Sequence, residues 1–143
     1  MNESSSKSWV RTVILVGVVY FVVGFIFAAL AKPSVSDQVR VWRLAAWVAS
    51  AAMFAVHIGY ENIRLGNSPL VTALHAAAAV AIGAFLLAIA ATVHNVMVVS
   101  HAPYWRFLLA LVVWPIVTAL PAFLVAVTAA ALLVRLQTKR IAA

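Results

Sequence analysis

Four long runs of apolar residues divide the chain, and short polar connectors separate them. The runs cover residues 13–31, 44–60, 70–93 and 107–134. A helix needs about 20 residues to cross the hydrocarbon core of a bilayer, so each run predicts a transmembrane helix. With a turn or so added at the ends, the predicted spans are residues 9–32, 42–62, 69–96 and 104–136. The first run is longer than the apolar core of about 7 to 15 residues in a signal peptide, so we expect a retained helix.

The connectors between the predicted spans are short, which favours antiparallel packing of consecutive helices. Pro33 is expected to end the first helix, because proline lacks an amide donor. Ser68 followed by Pro69 is typical of a helix start, with serine as the N-cap and proline at the first helical position. The predicted fold is therefore all-α: a single transmembrane domain over residues 1–143, folded as a four-helix up-down bundle.

The composition is that of a chain whose solvent is lipid. Hydrophobic residues make up 66% of the 143 residues, charged residues make up 9%, and the mean hydropathy is +1.10. In a soluble domain about half of the residues are apolar and about a quarter are charged. We therefore expect an integral membrane protein in contact with membrane lipids, as a homo-oligomer or within a larger membrane complex.

The chain offers few groups for catalysis. It contains no cysteine, which excludes thiolate nucleophiles, disulfides and cysteine-based metal sites. Its acids are Glu3, Asp37 and Glu61, and of these only Glu61 lies inside a predicted span. A pair of carboxylates for acid–base catalysis is not expected from this distribution. We therefore expect neither an enzyme nor a metal site.

The net charge of +7 comes from basic residues near the ends of the apolar runs. In that position they meet lipid head groups and set topology, whereas a nucleic-acid partner would require them to cluster on one water-exposed face. The side that carries the N-terminus holds Lys7, Arg11, Arg64, Arg135, Lys139 and Arg140. The opposite side holds Lys32, Arg40, Arg43 and Arg106. The excess of basic residues on the side of the N-terminus, six against four, favours a bacterial inner-membrane protein with both termini in the cytoplasm.

Polar and aromatic residues recur along one side of the second predicted helix. Their separations alternate between four and three residues, which keeps them on one face. The residues of this polar stripe are Arg43, Trp47, Ser50, Phe54, His57, Glu61 and Arg64. Such a stripe is expected to face other helices, because an unpaired charge against lipid is unfavourable. Glu61 and Arg64 are expected to pair within the helix.

Small residues and prolines mark the last two spans. Alanine and glycine dominate residues 76–84, which lets helix backbones approach closely. Tight helix packing is the simpler explanation, and room for a flat cofactor or a passage is the alternative. Pro115 and Pro121 each remove a backbone hydrogen bond, so the fourth helix is expected to kink near residues 114–118. Thr118 is expected to bond to a carbonyl that a proline frees.

The histidines fall into two groups by depth. His57 and His75 lie nine residues before and nine residues after Gly66, so an antiparallel hairpin places them at similar depth. His94 follows His75 by 19 residues, or about 28 Å of helix, and belongs to the opposite interface. His101 lies in a connector and is expected to be solvated.

Three hypotheses are open for His57 and His75. In the first, they are axial ligands to a b-type haem, with Arg64 at a propionate, because haem iron accepts histidine nitrogen. In the second, they belong to a proton or small-solute pathway, because imidazole titrates near physiological pH. In the third, they are structural, and neighbouring carbonyl or hydroxyl groups form their hydrogen bonds. The candidate pathway residues are Ser50, His57, Glu61, Thr72 and His75.

For the whole protein, the sequence favours a small polytopic membrane protein that acts as a non-enzymatic accessory or interaction subunit through helix packing. One alternative is a haem-binding electron-transfer subunit. The other is a proton or small-solute channel or transporter that uses the polar stripe of the second helix. No residue is assigned a catalytic role.

Overall fold

The computed structural model describes residues 3–32, 36–97 and 104–141. These residues form four long helices and one π-helical turn. The helices are α1 (Glu3–Ala31), α2 (Ser36–Gly59), α3 (Pro69–Met97) and α4 (Tyr104–Ile141), and the π-turn (Tyr60–Arg64) continues α2. All four helices are long and apolar enough to cross a membrane. The prediction of an all-α bundle is therefore confirmed.

The predicted start of the third helix is confirmed in detail. The helix α3 begins at Pro69, and the Ser68 hydroxyl accepts the backbone N–H of Val71 at 3.4 Å. This N-cap satisfies one of the amide donors that every helix start leaves free. The helix α1 ends at Ala31, and Pro33 lies outside the described residues.

The helices do not pack as a regular ring. The helix α3 packs along α1 on one side and along α4 on the other, and α2 packs mainly along α1. The helix α2 meets α3 and α4 through a small apolar core, in which Ile58 packs with alanines of α3 and α4. The sequence predicted close antiparallel packing of all consecutive helices, but the α2–α3 pair is only loosely packed. Across the described ranges, α1 and α4 are not packed against each other.

Glycines allow the close contact between α1 and α3. A Cβ atom added at Gly83 would lie 2.7 Å from the Cβ atom of Tyr20 and 3.1 Å from the carbonyl oxygen of Gly17. Real Cβ atoms essentially never come within 3.0 Å of a neighbour, so the two backbones approach as closely as glycine permits. The small residues of α3 therefore serve helix packing here, as the simpler sequence hypothesis proposed.

The helix α4 continues through both of its prolines. The hydroxyl of Thr118 donates to the carbonyl oxygens of Trp114 at 2.9 Å and Pro115 at 3.1 Å. Proline removes the bond to the carbonyl four residues earlier, which means residues 111 and 117 in this helix. The prediction that Thr118 bonds to a freed carbonyl is therefore wrong, because the hydroxyl reaches carbonyls one turn back along its own helix.

Candidate functional site

The site is centred on Glu61, whose side chain is 1% exposed. Glu61 lies in the π-turn at the end of α2, where the backbone N–H of Leu65 bonds to the carbonyl of Tyr60, five residues earlier, at 3.3 Å. Short π-helical segments occur frequently at functional sites. A fully buried acid at the end of a membrane span requires hydrogen-bonding partners, because an unpaired buried charge is unfavourable.

Two histidines and one asparagine surround the Glu61 carboxylate. Its Oε2 atom lies 3.0 Å from Nδ1 of His75 and also accepts a hydrogen bond from the side-chain amide of Asn67. Its Oε1 atom lies 3.7 Å from Nε2 of His57, which is an ion-pair distance but too long for a hydrogen bond. Because an ionised carboxylate only accepts, Nδ1 of His75 carries the hydrogen of that bond.

The turn after α2 brings Asn67 next to the Glu61 carboxylate. Gly66 adopts φ = +64°, in the left-handed region that favours glycine. The reversed chain brings the backbone N–H of Asn67 to the carbonyl of Glu61 at 3.2 Å, and the Asn62 side chain donates to the carbonyl of Asn67 at 3.5 Å. The sequence predicted a turn at Gly66 but did not assign Asn67 to the site. The signal that could have identified Asn67 is its place as a polar residue directly after a glycine that ends a helix.

Trp9 of α1 covers one face of the His75 imidazole. The two ring centroids are 5.0 Å apart and the ring planes differ by 3°, which is a stacked arrangement. The sequence did not predict this contact, because 66 residues separate the two side chains and no periodicity links them. The packing of α1 on α3 brings them together.

The predicted ion pair between Glu61 and Arg64 is wrong. Glu61 is turned into the protein while Arg64 is exposed, and no Lys or Arg among the described side chains forms a salt bridge with Glu61. The π-turn changes the angular relation between these two residues from that of an α-helix, and the Glu61 side chain faces α3 instead. Glu61 is the one fully buried acid among the described residues, and it has imidazoles rather than a guanidinium beside it.

The structure divides the predicted polar stripe into two parts. Its inner part, His57 and Glu61, is buried in the site, whereas Trp47 is 76% exposed on the outer surface. Ser50 is half-buried and lies seven residues, or about 10 Å, before His57 along the helix. Thr72 is fully buried one turn before His75, and its hydroxyl has no hydrogen-bond partner among the described atoms. Of the five pathway candidates, direct contacts join His57, Glu61 and His75.

The haem hypothesis concerns the same histidines in a different arrangement. His57 and His75 each direct a ring nitrogen toward Glu61, whose carboxylate lies between them, and Arg64 is exposed. Haem ligation by this pair stays a prediction, to which the structure adds that the carboxylate would have to leave its present position. Within the described ranges, no group of three or more His, Cys, Asp or Glu residues has the geometry to hold a metal ion.

His94 lies at the other end of the bundle, as its depth predicted. Its Nε2 atom is 3.2 Å from Nζ of Lys32, and both side chains are exposed. His101 lies outside the described residues. His94 does not contribute to the site around Glu61.

The chemical capacity of the site follows from its partners. A carboxylate held by imidazoles can exchange a proton without separating from a permanent cation, because imidazole changes charge near neutral pH.

No family model matches this sequence, and no curated protein or solved structure is significantly similar to it.

Proposed function

We propose that this protein binds and transfers protons within the membrane, as a proton channel or as a transporter that couples a proton to a small solute. The observation that carries the proposal is the Glu61 carboxylate, buried in a membrane span with two histidines and an asparagine as its partners. Intramembrane ionisable groups are costly, and in membrane proteins they mark proton relays and ion pathways.

The charge balance of the site favours the exchange of a single proton. With both imidazoles neutral and the carboxylate ionised, the buried cluster of His57, Glu61 and His75 carries one negative charge. One added proton makes the cluster neutral, and a second would leave it positive. Because a net charge in a region of low dielectric constant is unfavourable, the uptake of one proton is the favoured event.

The exposure of the three side chains gives this exchange a direction. The side chain of His75 is 14% exposed, that of Glu61 is 1% exposed and that of His57 is 3% exposed. His75 is therefore the most accessible of the three groups to a proton from outside the bundle, and the carboxylate lies between His75 and His57.

Beyond His57 the core is apolar, with Phe54 and Ile58 packed against alanines of α3 and α4. A continuous polar path does not follow from this packing. Transfer to the opposite side therefore requires helix movement, which favours a transporter with two alternating states over an open channel.

The distribution of basic residues supports a bacterial inner-membrane location with both termini in the cytoplasm. Four spans place the two termini on the same side, and the site lies at the end of the bundle that carries the N-terminus and the α2–α3 turn. The site would then open to the cytoplasm. A reporter that fluoresces only in the cytoplasm, fused after residue 143, tests this orientation: a dark fusion overturns it.

Proton flux into liposomes tests the proposed function. The purified protein is reconstituted with an internal pH-sensitive dye, and a membrane potential drives proton entry. We expect the wild-type protein to accelerate entry over protein-free liposomes, and Glu61→Gln to remove the acceleration because glutamine cannot hold the charge. Asp37→Asn, the same acid-to-amide change at an exposed position, is the matched control and should behave as wild type. Equal rates for wild type, Glu61→Gln and empty liposomes would overturn an uncoupled proton pathway, and equal proton uptake by the purified wild type and Glu61→Gln on acidification would overturn the proposal as a whole.

The surface of α2 favours a second candidate function, that of an accessory or interaction subunit. Its first half packs mainly on α1 and leaves Leu44, Trp47 and Val48 more than 60% exposed. A large aromatic side chain on such a face suits packing against another membrane helix as well as against lipid. Photo-crosslinking from position 47 in native membranes tests this function: a discrete protein adduct supports it, and adducts with lipid alone contradict it.

A further inference from the structure

Two contacts fix the orientation of the His75 imidazole. Its Nδ1 atom points to Oε2 of Glu61 at 3.0 Å, and its ring face lies against the Trp9 indole at a centroid distance of 5.0 Å. The first contact sets the direction of one ring nitrogen, and the second sets the plane of the ring. The remaining nitrogen, Nε2, is the acceptor of the neutral ring and is therefore the atom at which the ring can be protonated.

Both contacts become stronger when His75 is protonated. A cation within about 6 Å of a tryptophan ring centroid is attracted to the ring face, and tryptophan is the best of the aromatic residues for this interaction. The ionised carboxylate of Glu61 attracts an imidazolium as well. The amide of Asn67 donates to the same carboxylate oxygen, so Oε2 of Glu61 is an acceptor in both of its contacts.

The other charged groups near this end of the bundle do not replace these partners. From α2 and the π-turn the neighbouring titratable groups are His57 and Glu61, and from α1 the contact is the uncharged Trp9. Further basic side chains of α1, the π-turn and α4 are exposed and form no salt bridge with Glu61. These exposed residues are Arg11, Arg64, Arg135 and Lys139.

We propose that Trp9 is the positioning residue of the site, and that it selects the form in which the proton is stored. The loaded site is a His75 imidazolium held between the Trp9 indole and an ionised Glu61, rather than a neutral carboxylic acid at Glu61. The proton enters at Nε2 of His75, while the Nδ1–H bond to Glu61 stays in place. This inference rests on the proposed function and specifies which residue carries the proton.

Infrared difference spectroscopy of the full-length protein in lipid tests where the proton is stored. On acidification we expect no carbonyl stretch of a protonated carboxylic acid that disappears in Glu61→Gln. We expect instead the ring modes of an imidazolium that disappear in His75→Gln. A carboxylic-acid band assigned to Glu61 would overturn the inference.

Substitutions of Trp9 test the positioning role. Trp9→Leu should weaken proton binding by the site roughly 3- to 30-fold, since the attraction of an imidazolium to the indole face is lost. Trp9→Phe should give an intermediate loss, because the phenyl ring retains a weaker attraction. Trp114→Phe, at an exposed indole of α4, should leave proton binding unchanged. Circular dichroism and size-exclusion profiles that match the wild type establish that each variant is folded.

The outcomes separate this inference from the proposed function. If wild type and Glu61→Gln take up the same number of protons, the proposed function fails together with the inference. If uptake depends on Glu61 but Trp9→Leu binds protons as tightly as the wild type, only the role of Trp9 is overturned.

Discussion

The chemistry open to a buried carboxylate depends on the donors that surround it. A guanidinium stays protonated throughout the physiological pH range and would hold Glu61 in one ionic state. An imidazole does not, so the contacts of Glu61 with His57 and His75 leave the charge of the cluster variable. Asn67 completes the set with an uncharged donor whose strength does not change with pH.

Removal of the Asn67 amide should destabilise the protein through Glu61. We expect Asn67→Ala to lower the free energy of unfolding by about 1.5–3 kcal/mol, the usual contribution of a hydrogen bond to a charged group. The matched control is Asn95→Ala, since Asn95 lies at the opposite end and its side-chain amide donates to a carbonyl of its own helix, that of Ala91. Thermal unfolding in detergent, followed by circular dichroism, measures both. Equal losses in the two variants would contradict a special role for Asn67.

Gly66 should be intolerant of a side chain for a purely backbone reason. A Cβ atom there would meet nothing within 4 Å, yet φ = +64° is unfavourable for any residue with a Cβ atom. We expect Gly66→Ala to cost about 1–2 kcal/mol of stability. Gly59→Ala, also without a neighbour within 4 Å but with φ = −60° in a helix, should be neutral or stabilising. Thermal unfolding followed by circular dichroism measures both variants, and an unchanged stability of Gly66→Ala would show that the turn is not held in this conformation.

At the level of elements, hydrophobic patterning was sufficient to predict the four helices but insufficient to predict which helices pack against each other. The length of each apolar run predicts a span, and Ser68-Pro69 predicts the start of α3, because both depend on local chemistry. Which helix packs on which depends on the fit of side chains far apart in sequence, such as Gly83 against Tyr20. For the same reason the contact of Trp9 with His75 was not predicted, whereas the contact of Asn67 with Glu61 depends on the left-handed conformation of Gly66, which hydrophobic patterning does not specify.

The packing of α1 on α3 should be sensitive to the smallest enlargement at Gly83. A methyl group there would meet the Cβ atom of Tyr20 at 2.7 Å and the backbone of Gly17 at 3.1 Å, and neither group can easily move. We expect Gly83→Ala to destabilise the protein by about 1–3 kcal/mol through overpacking. Gly24→Ala meets only the flexible end of Leu87, at 2.8 Å, and should cost less. Unfolding curves for the two variants test this order, and the reverse order would contradict the close contact.

For the molecule as a whole, one site is assembled from five separate parts of the bundle. The helix α2 supplies His57, the π-turn supplies Glu61, the following turn supplies Asn67, α3 supplies His75, and α1 supplies Trp9. The opposite end carries the exposed Lys32–His94 contact and no comparable buried acid within the described residues. The two ends of the described bundle therefore differ chemically, and the buried acid lies at one of them.

An absorption spectrum separates the haem hypothesis from the proton hypothesis at this scale. The haem hypothesis predicts a Soret band from the detergent-purified protein, abolished by His57→Ala and by His75→Ala. If the proton hypothesis is correct, we expect a protein without a Soret band even when it is produced with haem available, because Glu61 occupies the space between the imidazoles. A Soret band that depends on both histidines would contradict that expectation.

The position of Glu61 near the end of α2 also has a consequence for biosynthesis. The span that contains it has the lowest mean hydropathy, 1.5 against 2.9, 2.4 and 2.4 for the others. Because a chain emerges from the ribosome N-terminus first, α2 meets the bilayer before the hydrogen-bonding partners Asn67 and His75 have left the ribosome. A lone acid opposes insertion until such partners arrive. We infer that α2 is held back at the insertion machinery until α3 follows, and that the two spans enter the membrane as one hairpin.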